Sequence, residues 1–410
     1  MIESIFSYSK LQVFLWFIIC SVFNSYEAHA NEALPLSSGG NNTGLAGAGI
    51  AEPLEVTGNN INPALLVRLK NQVSIFPGVG HVNQKVDTSH AHLTEGTPLP
   101  PQGGPLRNRA EFTPLALMGV TYHMQPDFSI GISLSGGGGH TKYSSSPVSP
   151  AIKTGTKYES DVMLVPLSTS WSPSQNQSYG LSLIVVRSGL KTNLNLPNGR
   201  ASRGKNKSDA VYGLGGRIGS LWDLVSFLSV GATFTTPIYF QKYHKYKDLV
   251  THRFVVPMRA GLGTSWHLTP CTDLVADVEG YFWKKVRGSG NSPAKGGLGW
   301  KNTFAIMTGI NHYINADWTL RLGYSYNQIP IPHDNVFFNA FAPAAALIKD
   351  SIASGLSYKV SQSLLLNINA IYGFKNKITD SGNGVLNGSA KNTTLSAETF
   401  TALVGVNYLY

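Results

Sequence analysis

Three histidines and one aspartate lie close together in the sequence and have the side chains that metal ions prefer: His81, Asp87, His90 and His92. Zinc sites recur with short, characteristic spacings between their ligands, and this set matches none of them. We therefore expect solvated side chains in a loop here, and neither a metal ion nor another cofactor.

The glycine-rich and serine-containing segments do not match nucleotide-binding or hydrolase motifs. Gly44–Gly49 has the order G-x-x-G-x-G, and no strand pattern precedes it, so it is not a dinucleotide loop. Gly213-Leu214-Gly215 also fails, because Ile218 stands where the third glycine would be. The chain contains no G-x-S-x-G nucleophile elbow. These comparisons favour a protein that is not an enzyme.

Four cations lie on the polar faces of alternating segments: Arg253, Arg259, Arg321 and Lys359. A cation of this kind is what a ligand carboxylate would need as its partner. Most of them are expected to pair instead with acids on neighbouring segments, such as Asp273, Asp277 or Glu279. The elements that carry these cations decide which alternative holds.

Those elements have the period-two pattern of β-strands. Trp318, Leu320 and Leu322 share one face, whereas Thr319 and Arg321 lie on the other. The same alternation recurs from Gln72 to Tyr410, for example at 128–134, 254–262, 364–372 and 400–410. Only 13% of the residues are charged, against roughly 25% in typical soluble proteins. After residue 30 no run reaches the roughly 18 apolar residues of a membrane helix.

Short clusters of turn-forming residues repeat at intervals of about 45–49 residues. They lie at 126–127, 173–176, 222–223, 270–273, 315–317 and 361–363. Six such turns divide the region from 72 to 410 into seven hairpins. This predicts an all-β transmembrane protein, a fourteen-stranded antiparallel outer-membrane barrel with both termini periplasmic. A soluble sandwich is disfavoured because the polar face carries too little charge for water.

The N-terminus has a different composition. Residues 1–30 resemble a secretory signal, with Lys10, an apolar run from Leu11 to Val22 and a small-x-small site at Ala28–Ala30. Residues 31–70 are rich in small and polar side chains, and no strand alternation appears before Gln72. We expect three parts: a signal peptide at 1–30, a compact segment at 31–70 and the barrel at 71–410.

The chain has a formal net charge of +10, with 32 basic and 22 acidic residues. Basic residues gather in a predicted surface loop, at Arg200, Arg203, Lys205 and Lys207. A barrel in the outer membrane meets lipid and lipopolysaccharide phosphates, so these are the expected partners rather than nucleic acid. A simple solvated loop remains an alternative.

Two motifs carry a resemblance to a known family. Gly44 to Ala51 has the pattern Gly-x-Ala-Gly-Ala-Gly-x-Ala, and Asn62-Pro63-Ala64 follows it. A late Gly-Tyr-Ser-Tyr-x-x-x-Pro-Ile-Pro runs from Gly323 to Pro332. With fourteen predicted strands, the chain resembles the FadL/toluene-channel family of outer-membrane transporters for hydrophobic compounds, over essentially the whole mature chain. Its terminal Tyr410 departs from the more usual Phe.

The resemblance implies a mechanism. The N-terminal segment would plug the barrel as a hatch, with Asn62, Pro63 and Ala64 near a constriction. Ligand would be captured between extracellular loops, held in an apolar pocket and released sideways where the third strand kinks. Glycines weaken a strand ladder, so we assign the kink to Gly136, Gly137, Gly138 and Gly139; an ordinary loop start is the alternative. Candidate ligand contacts are Leu34, Leu36, Phe337, Phe338, Phe341, Arg259 and Arg321.

The predicted function is therefore passive uptake of long-chain fatty acids or aromatic hydrocarbons by a monomeric channel. Two alternatives stay open. A general diffusion porin would lack a plug and carry charged residues at its constriction. A barrel enzyme, such as an outer-membrane phospholipase, would need a Ser/His or Asp/His set near one rim.

Overall fold

The computed structural model describes residues 39–91, 105–145, 155–195, 200–250, 253–295, 297–340, 342–384 and 390–410. The predicted signal sequence, Leu34, Leu36 and Phe341 lie outside these residues. None of the helices in the described ranges is long and apolar enough to cross a membrane.

Within these ranges the chain forms seventeen strand segments. They are β1 Gln72–Asp87, β2 Leu106–Arg107, β3 Phe112–Gln125, β4 Phe128–Tyr143, β5 Thr156–Ser174, β6 Gln177–Thr192, β7 Asp209–Val225, β8 Leu228–Thr235, β9 Ile238–Phe240, β10 Val255–Val256, β11 Arg259–Thr269, β12 Thr272–Tyr281, β13 Thr303–Tyr313, β14 Trp318–Asn327, β15 Asp350–Lys359, β16 Leu364–Thr379 and β17 Thr394–Leu409. The short β2, β9 and β10 extend β3, β8 and β11 along the same neighbours. The described segments therefore make fourteen wall strands.

The sheet closes on itself because β1 is paired along both edges. It pairs antiparallel with β17 from Gln72↔Leu409 to Asp87↔Thr394, and with β3 on the other side. The remaining wall strands pair with their neighbours in sequence. Closure leaves no free sheet edge, which is what a β-structure in a membrane requires. The predicted fourteen-stranded antiparallel barrel is confirmed.

Side chains alternate between the two faces of the wall. Leu181, Ile368 and Val404 are 58–59% exposed on the outer face, whereas their neighbours Ser182 and Asn367 are buried inside. An apolar outer surface around a polar interior reverses the arrangement of a soluble domain and suits a lipid environment.

The segment before β1 lies inside the barrel. It contains three short 3-10 helices, η1 Asn41–Leu45, η2 Val56–Asn60 and η3 Pro63–Arg68. The first packs on β13 to β16, the second on β1, β3 and β4, and the third on β4 to β7. Contacts on all sides of the wall place residues 39–69, named here the lumen segment, in the barrel interior.

Long connections at one end of the barrel carry four further 3-10 helices among the described residues: η4 Trp283–Lys285, η5 Pro293–Lys295, η6 Phe337–Asn339 and η7 Ala344–Leu347. The opposite end has short turns. Five predicted turns fall at these hairpins, at 126–127, 175–176, 270–271, 314–317 and 360–363.

The turn predicted near Trp222-Asp223 lies a few residues later, at 226–227, because β7 continues to Val225 and β8 begins at Leu228. Asp223 is accommodated near the end of the strand by two partners. Its Oδ1 accepts a hydrogen bond from Ser229 Oγ at 2.7 Å, and its Oδ2 lies 3.1 Å from Arg68 Nη1. Aspartate often marks a turn, but here Asp223 stays within a strand because Ser229 of β8 and Arg68 of the lumen segment bind its carboxylate.

Candidate functional site

A cavity of about 290 Å³ lies between the lumen segment and the long connections. Its apolar lining includes Val82, Leu117, Val162, Leu164, Ile238 and Tyr281. Ala344 and Ala345 of η7 contribute from the long-connection end. A site of this size and character suits one small apolar molecule or part of a long one, since each buried CH₂ stabilises binding by roughly 0.8 kcal/mol.

Two arginines line the cavity beside Asn60 of the lumen segment. Arg259 Nη2 donates to the Asn60 carbonyl at 3.3 Å, and its Nη1 lies 3.5 Å from Glu279 Oε2. Tyr281 donates its hydroxyl proton to the same carboxylate at 2.6 Å. The charge of Arg259 is therefore balanced by Glu279.

Arg217 differs from Arg259 in its partners. Its Nη1 donates to the carbonyl of Asn60, and its Nε donates to Thr235 Oγ1 at 2.8 Å. Within the part of the chain that the structure describes, no carboxylate forms an ion pair with it. Arg217 therefore gives the apolar cavity a local positive charge, and a ligand carboxylate could pair with it there.

The wall beside the cavity loses its hydrogen-bond ladder along β4. Pairing between β3 and β4 runs from Gln125↔Phe128 to Ala116↔Gly136 and, within the described residues, extends no further. Beyond this point Gly137 to Tyr143 pair with β5 alone, while Phe112 to Leu115 pair with β1. Gly136–Gly139 thus lie in the wall and line the cavity at the edge of this gap.

The gap is bounded at its other end by a short bridge. Asn108 Nδ2 donates to the carbonyl of His140 at 2.8 Å, and Arg109 N donates to the carbonyl of Lys142 at 2.8 Å. Both edges of the interruption are therefore fixed. Within the described residues, the break between β3 and β4 is therefore confined to a short stretch of the wall.

The Asn-Pro-Ala segment packs against the opposite wall. Asn62 Oδ1 accepts from Ala64 N at 3.0 Å and caps η3, while its Nδ2 donates to the carbonyls of Ile50 and Ser220 at 2.8 and 3.0 Å. Pro63 occupies the first helical turn, where no backbone donor is required. A Cβ added at Gly219 of β7 would lie 1.9 Å from Asn62 Oδ1. The fit therefore depends on glycine in the wall.

The Gly44–Ala51 motif is held on the other side of the lumen. Asp277 accepts hydrogen bonds from the backbone N–H groups of Gly49 and Ile50 at 2.6 and 2.9 Å. Gly49 has φ +155°, and a side chain there would meet Asn42 Nδ2 at 1.9 Å. Small residues in this motif allow the chain to turn tightly against the wall.

The other residues that the sequence predicts as ligand contacts do not line the cavity where the structure describes them. Phe337 is buried under the long connections, where its backbone N donates to Asp380 Oδ2 at 3.2 Å, and it does not line the cavity. The side chain of Phe338 and the whole of Phe341 lie outside what the structure describes. Arg321 is buried in the lumen and donates to Ser357 Oγ at 2.6 Å, away from the cavity.

Sequence reasoning missed Arg217. Its strand carries a signal that could have found it, because Tyr212, Leu214 and Ile218 are exposed on the outer face and the odd positions point inward. The sequence also did not predict that Val162 and Leu164 line the cavity. Apolar residues occur on both faces of many strands, so their type alone does not indicate a cavity.

Several solved structures share this fold. The toluene transporter TodX of Pseudomonas putida matches with a TM-score of 0.65 and 17% identity, covering 87% of this chain and 94% of that one. A FadL homologue of Pseudomonas aeruginosa matches at 0.64 and 14%, covering 92% and 99%. The toluene transporter TbuX of Ralstonia pickettii matches at 0.62 and 15%, also covering 92% and 99%.

At identities this low, the likeness establishes the fold. The chain has the barrel fold of the FadL/toluene-channel proteins, as the resemblance in its sequence predicts. No family model and no curated protein matches the sequence.

Proposed function

We propose that this protein is an outer-membrane channel for the passive uptake of hydrophobic compounds, long-chain fatty acids or aromatic hydrocarbons. The observation that carries the proposal is the apolar cavity beside the break in the β3–β4 ladder. Such compounds bind by burying apolar surface and then diffuse readily within a bilayer. The names of the three similar structures, two toluene transporters and a FadL homologue, support this substrate class.

In the proposed route, ligand enters from the long-connection end, which faces the outside, and both termini are periplasmic. It binds in the cavity above Asn60 and leaves through the gap beside Gly137–Gly139. Residues 31–70 act as the plug, with Asn62, Pro63 and Ala64 at the constriction, and residues 71–410 form the barrel. Residues 1–30 are removed as a signal peptide, and the channel is a monomer in contact with lipid and lipopolysaccharide.

For an acidic ligand, we assign the carboxylate to Arg217. Arg259 was the sequence candidate, but Glu279 already balances its charge. A toluene-like ligand would use the apolar lining alone. The same cavity therefore accommodates both substrate classes, and Arg217 distinguishes them.

The porin alternative is disfavoured by the lumen segment. A diffusion pore needs an aqueous path, whereas Asn42, Asn59 and Asn62 are fully buried between this segment and the wall. The enzyme alternative has no support in the cavity, where apolar side chains and glycines predominate. An Asp/His pair does occur near one rim, His267 Nδ1 to Asp273 Oδ1 at 2.6 Å, but it lies at the short-turn end and does not line the cavity.

The proposal is tested by binding to the purified full-length protein. A fluorescent apolar probe is bound first, then displaced with oleate, with toluene and with maltose. Displacement by oleate or toluene and not by maltose is expected. No apolar displacement, together with rapid passage of maltose into liposomes containing the protein, would overturn the proposal and favour a porin.

A further inference from the structure

Two connections at the long-connection end pack into one unit. Ser202 Oγ donates to Asp248 Oδ1 at 2.8 Å, and the backbone N of Arg203 donates to Asp248 Oδ2 at 2.8 Å. Lys245 N donates to Asp209 Oδ2 at 2.6 Å. The buried Tyr246 hydroxyl lies 2.8 and 3.1 Å from the carbonyl oxygens of Lys207 and Thr192, which share its one proton. Segments 200–208 and 241–250 are thereby held together.

This unit displays a cluster of cations, named here the basic surface: Arg203, Lys205, Lys207, Lys242, Lys245 and Lys247. Its two acids, Asp209 and Asp248, accept hydrogen bonds from backbone N–H groups and from Ser202. In the described part of the chain, neither acid forms an ion pair with these cations. The surface therefore retains its positive charge for an external partner.

The outer wall directly beneath the basic surface is aromatic and then aliphatic. Tyr239 and Tyr212 are 61% and 55% exposed, and Gln241 N donates to the carbonyl of Tyr212 at 2.9 Å. Leu214, the next outward residue of β7, is 56% exposed. Exposed tyrosines mark the level where the apolar layer of a membrane meets its headgroups. The cations therefore lie at headgroup height, above a wall suited to acyl chains.

We propose that the basic surface binds the phosphate groups of a phosphorylated glycolipid of the outer leaflet, whose acyl chains lie along Leu214 and its neighbours. This rests on the proposed outer-membrane location and assigns residues to the lipopolysaccharide contact. Cations arranged above an apolar wall match a ligand that carries phosphate on an acylated headgroup. A free phosphate ion would use the cations and leave the wall unused.

The test compares binding of fluorescent lipopolysaccharide to purified full-length protein and to two quadruple variants. One removes exposed cations of the basic surface, R203Q/K207Q/K242Q/K247Q. The matched control removes four exposed cations from another long connection, K284Q/K285Q/R287Q/K301Q. Heat-modifiable migration on gels shows that each barrel is folded.

Binding at least about tenfold weaker in the first variant than in the control is expected, since the variant loses four cations that would attract the anionic headgroup. Dephosphorylated lipopolysaccharide should bind the wild-type protein as weakly as the native lipid binds the first variant. Equal losses in both variants would indicate a net-charge effect and overturn the site. Displacement of the lipid by inorganic phosphate at the same concentration would assign a free anion instead.

Lipopolysaccharide binding and hydrophobic transport are measured in separate experiments. Binding is measured on purified protein, whereas the proposed function is measured with oleate and toluene. Failure of apolar ligands to bind while lipopolysaccharide binding persists would contradict the transport function and leave the basic surface intact.

Discussion

At the scale of single residues, the cavity holds two arginines among apolar side chains, and Arg217 is the one without a carboxylate partner among the described residues. Arg217 has backbone and hydroxyl partners but no carboxylate among the described residues, whereas Arg259 is paired with Glu279. A hydrogen bond to a charged group contributes about 1.5–3 kcal/mol to the free energy of binding. We therefore propose Arg217 as the residue that discriminates between acids and hydrocarbons.

Replacing Arg217 by Met is expected to weaken oleate binding about tenfold or more, because the carboxylate loses its partner. Toluene binding should change by less than about twofold, since toluene has no charge to lose. Displacement titrations on the purified variant measure both. Arg217→Lys is the control, because it retains the charge and should retain most of the oleate affinity. Equal loss of both ligands in Arg217→Met would contradict this role.

The Asn-Pro-Ala segment packs against Gly219 of the wall. In Gly219→Val the new Cβ would lie 1.9 Å from Asn62 Oδ1 and 2.9 Å from Pro63 Cδ, which is too close for both contacts. Overpacking of this kind costs about 1–3 kcal/mol, so the plug should be displaced. Conductance in planar bilayers should rise above that of the wild type.

The control for this prediction is Gly216→Val on the same strand. A Cβ at Gly216 meets only the Ser182 carbonyl, at 3.6 Å, and should leave the conductance unchanged. If Gly219→Val also left it unchanged, the segment would not close the lumen.

At the scale of elements, the strands follow from local pattern and the gap does not. Alternation such as Trp318, Leu320 and Leu322 against Arg321 reports which face a side chain occupies, and it predicted fourteen strands and five of six turns. The β3–β4 interruption depends on which residues of different strands meet, for example Leu115 with Gly78 and not with Gly137. Four consecutive glycines favour a break in the ladder, but the pairing of β3 with its two neighbouring strands determines where the break lies.

The gap gives an element-scale prediction. Gly138→Leu puts a bulky side chain at the interruption and should lower uptake of oleate or toluene by cells at least about fivefold by narrowing the exit. Gly280→Leu is a suitable control, because β12 is paired at Gly280 with both β11 and β13. A Cβ added at Gly280 would have no other atom closer than 3.6 Å. Normal uptake by Gly138→Leu would place the exit elsewhere.

At the scale of the whole molecule, the chain combines an apolar exterior, a lumen that contains the N-terminal segment and a cavity beside the break in the β3–β4 ladder. The composition and repeats of the sequence predicted the barrel, because a lipid-facing surface imposes a regular pattern on every strand. The cavity could not be predicted in the same way. Its lining comes from residues as distant as Val82, Val162, Ile238 and Tyr281, which only the closed barrel brings together.

The most direct test of the central claim is uptake of radiolabelled oleate and toluene by cells with and without this protein, beside a copy carrying Asn62→Ala and Pro63→Ala. The account predicts that deletion abolishes protein-dependent uptake of at least one compound and that the double variant alters it. Unchanged uptake of both compounds, with small sugars crossing faster when the protein is present, would contradict selective hydrophobic transport.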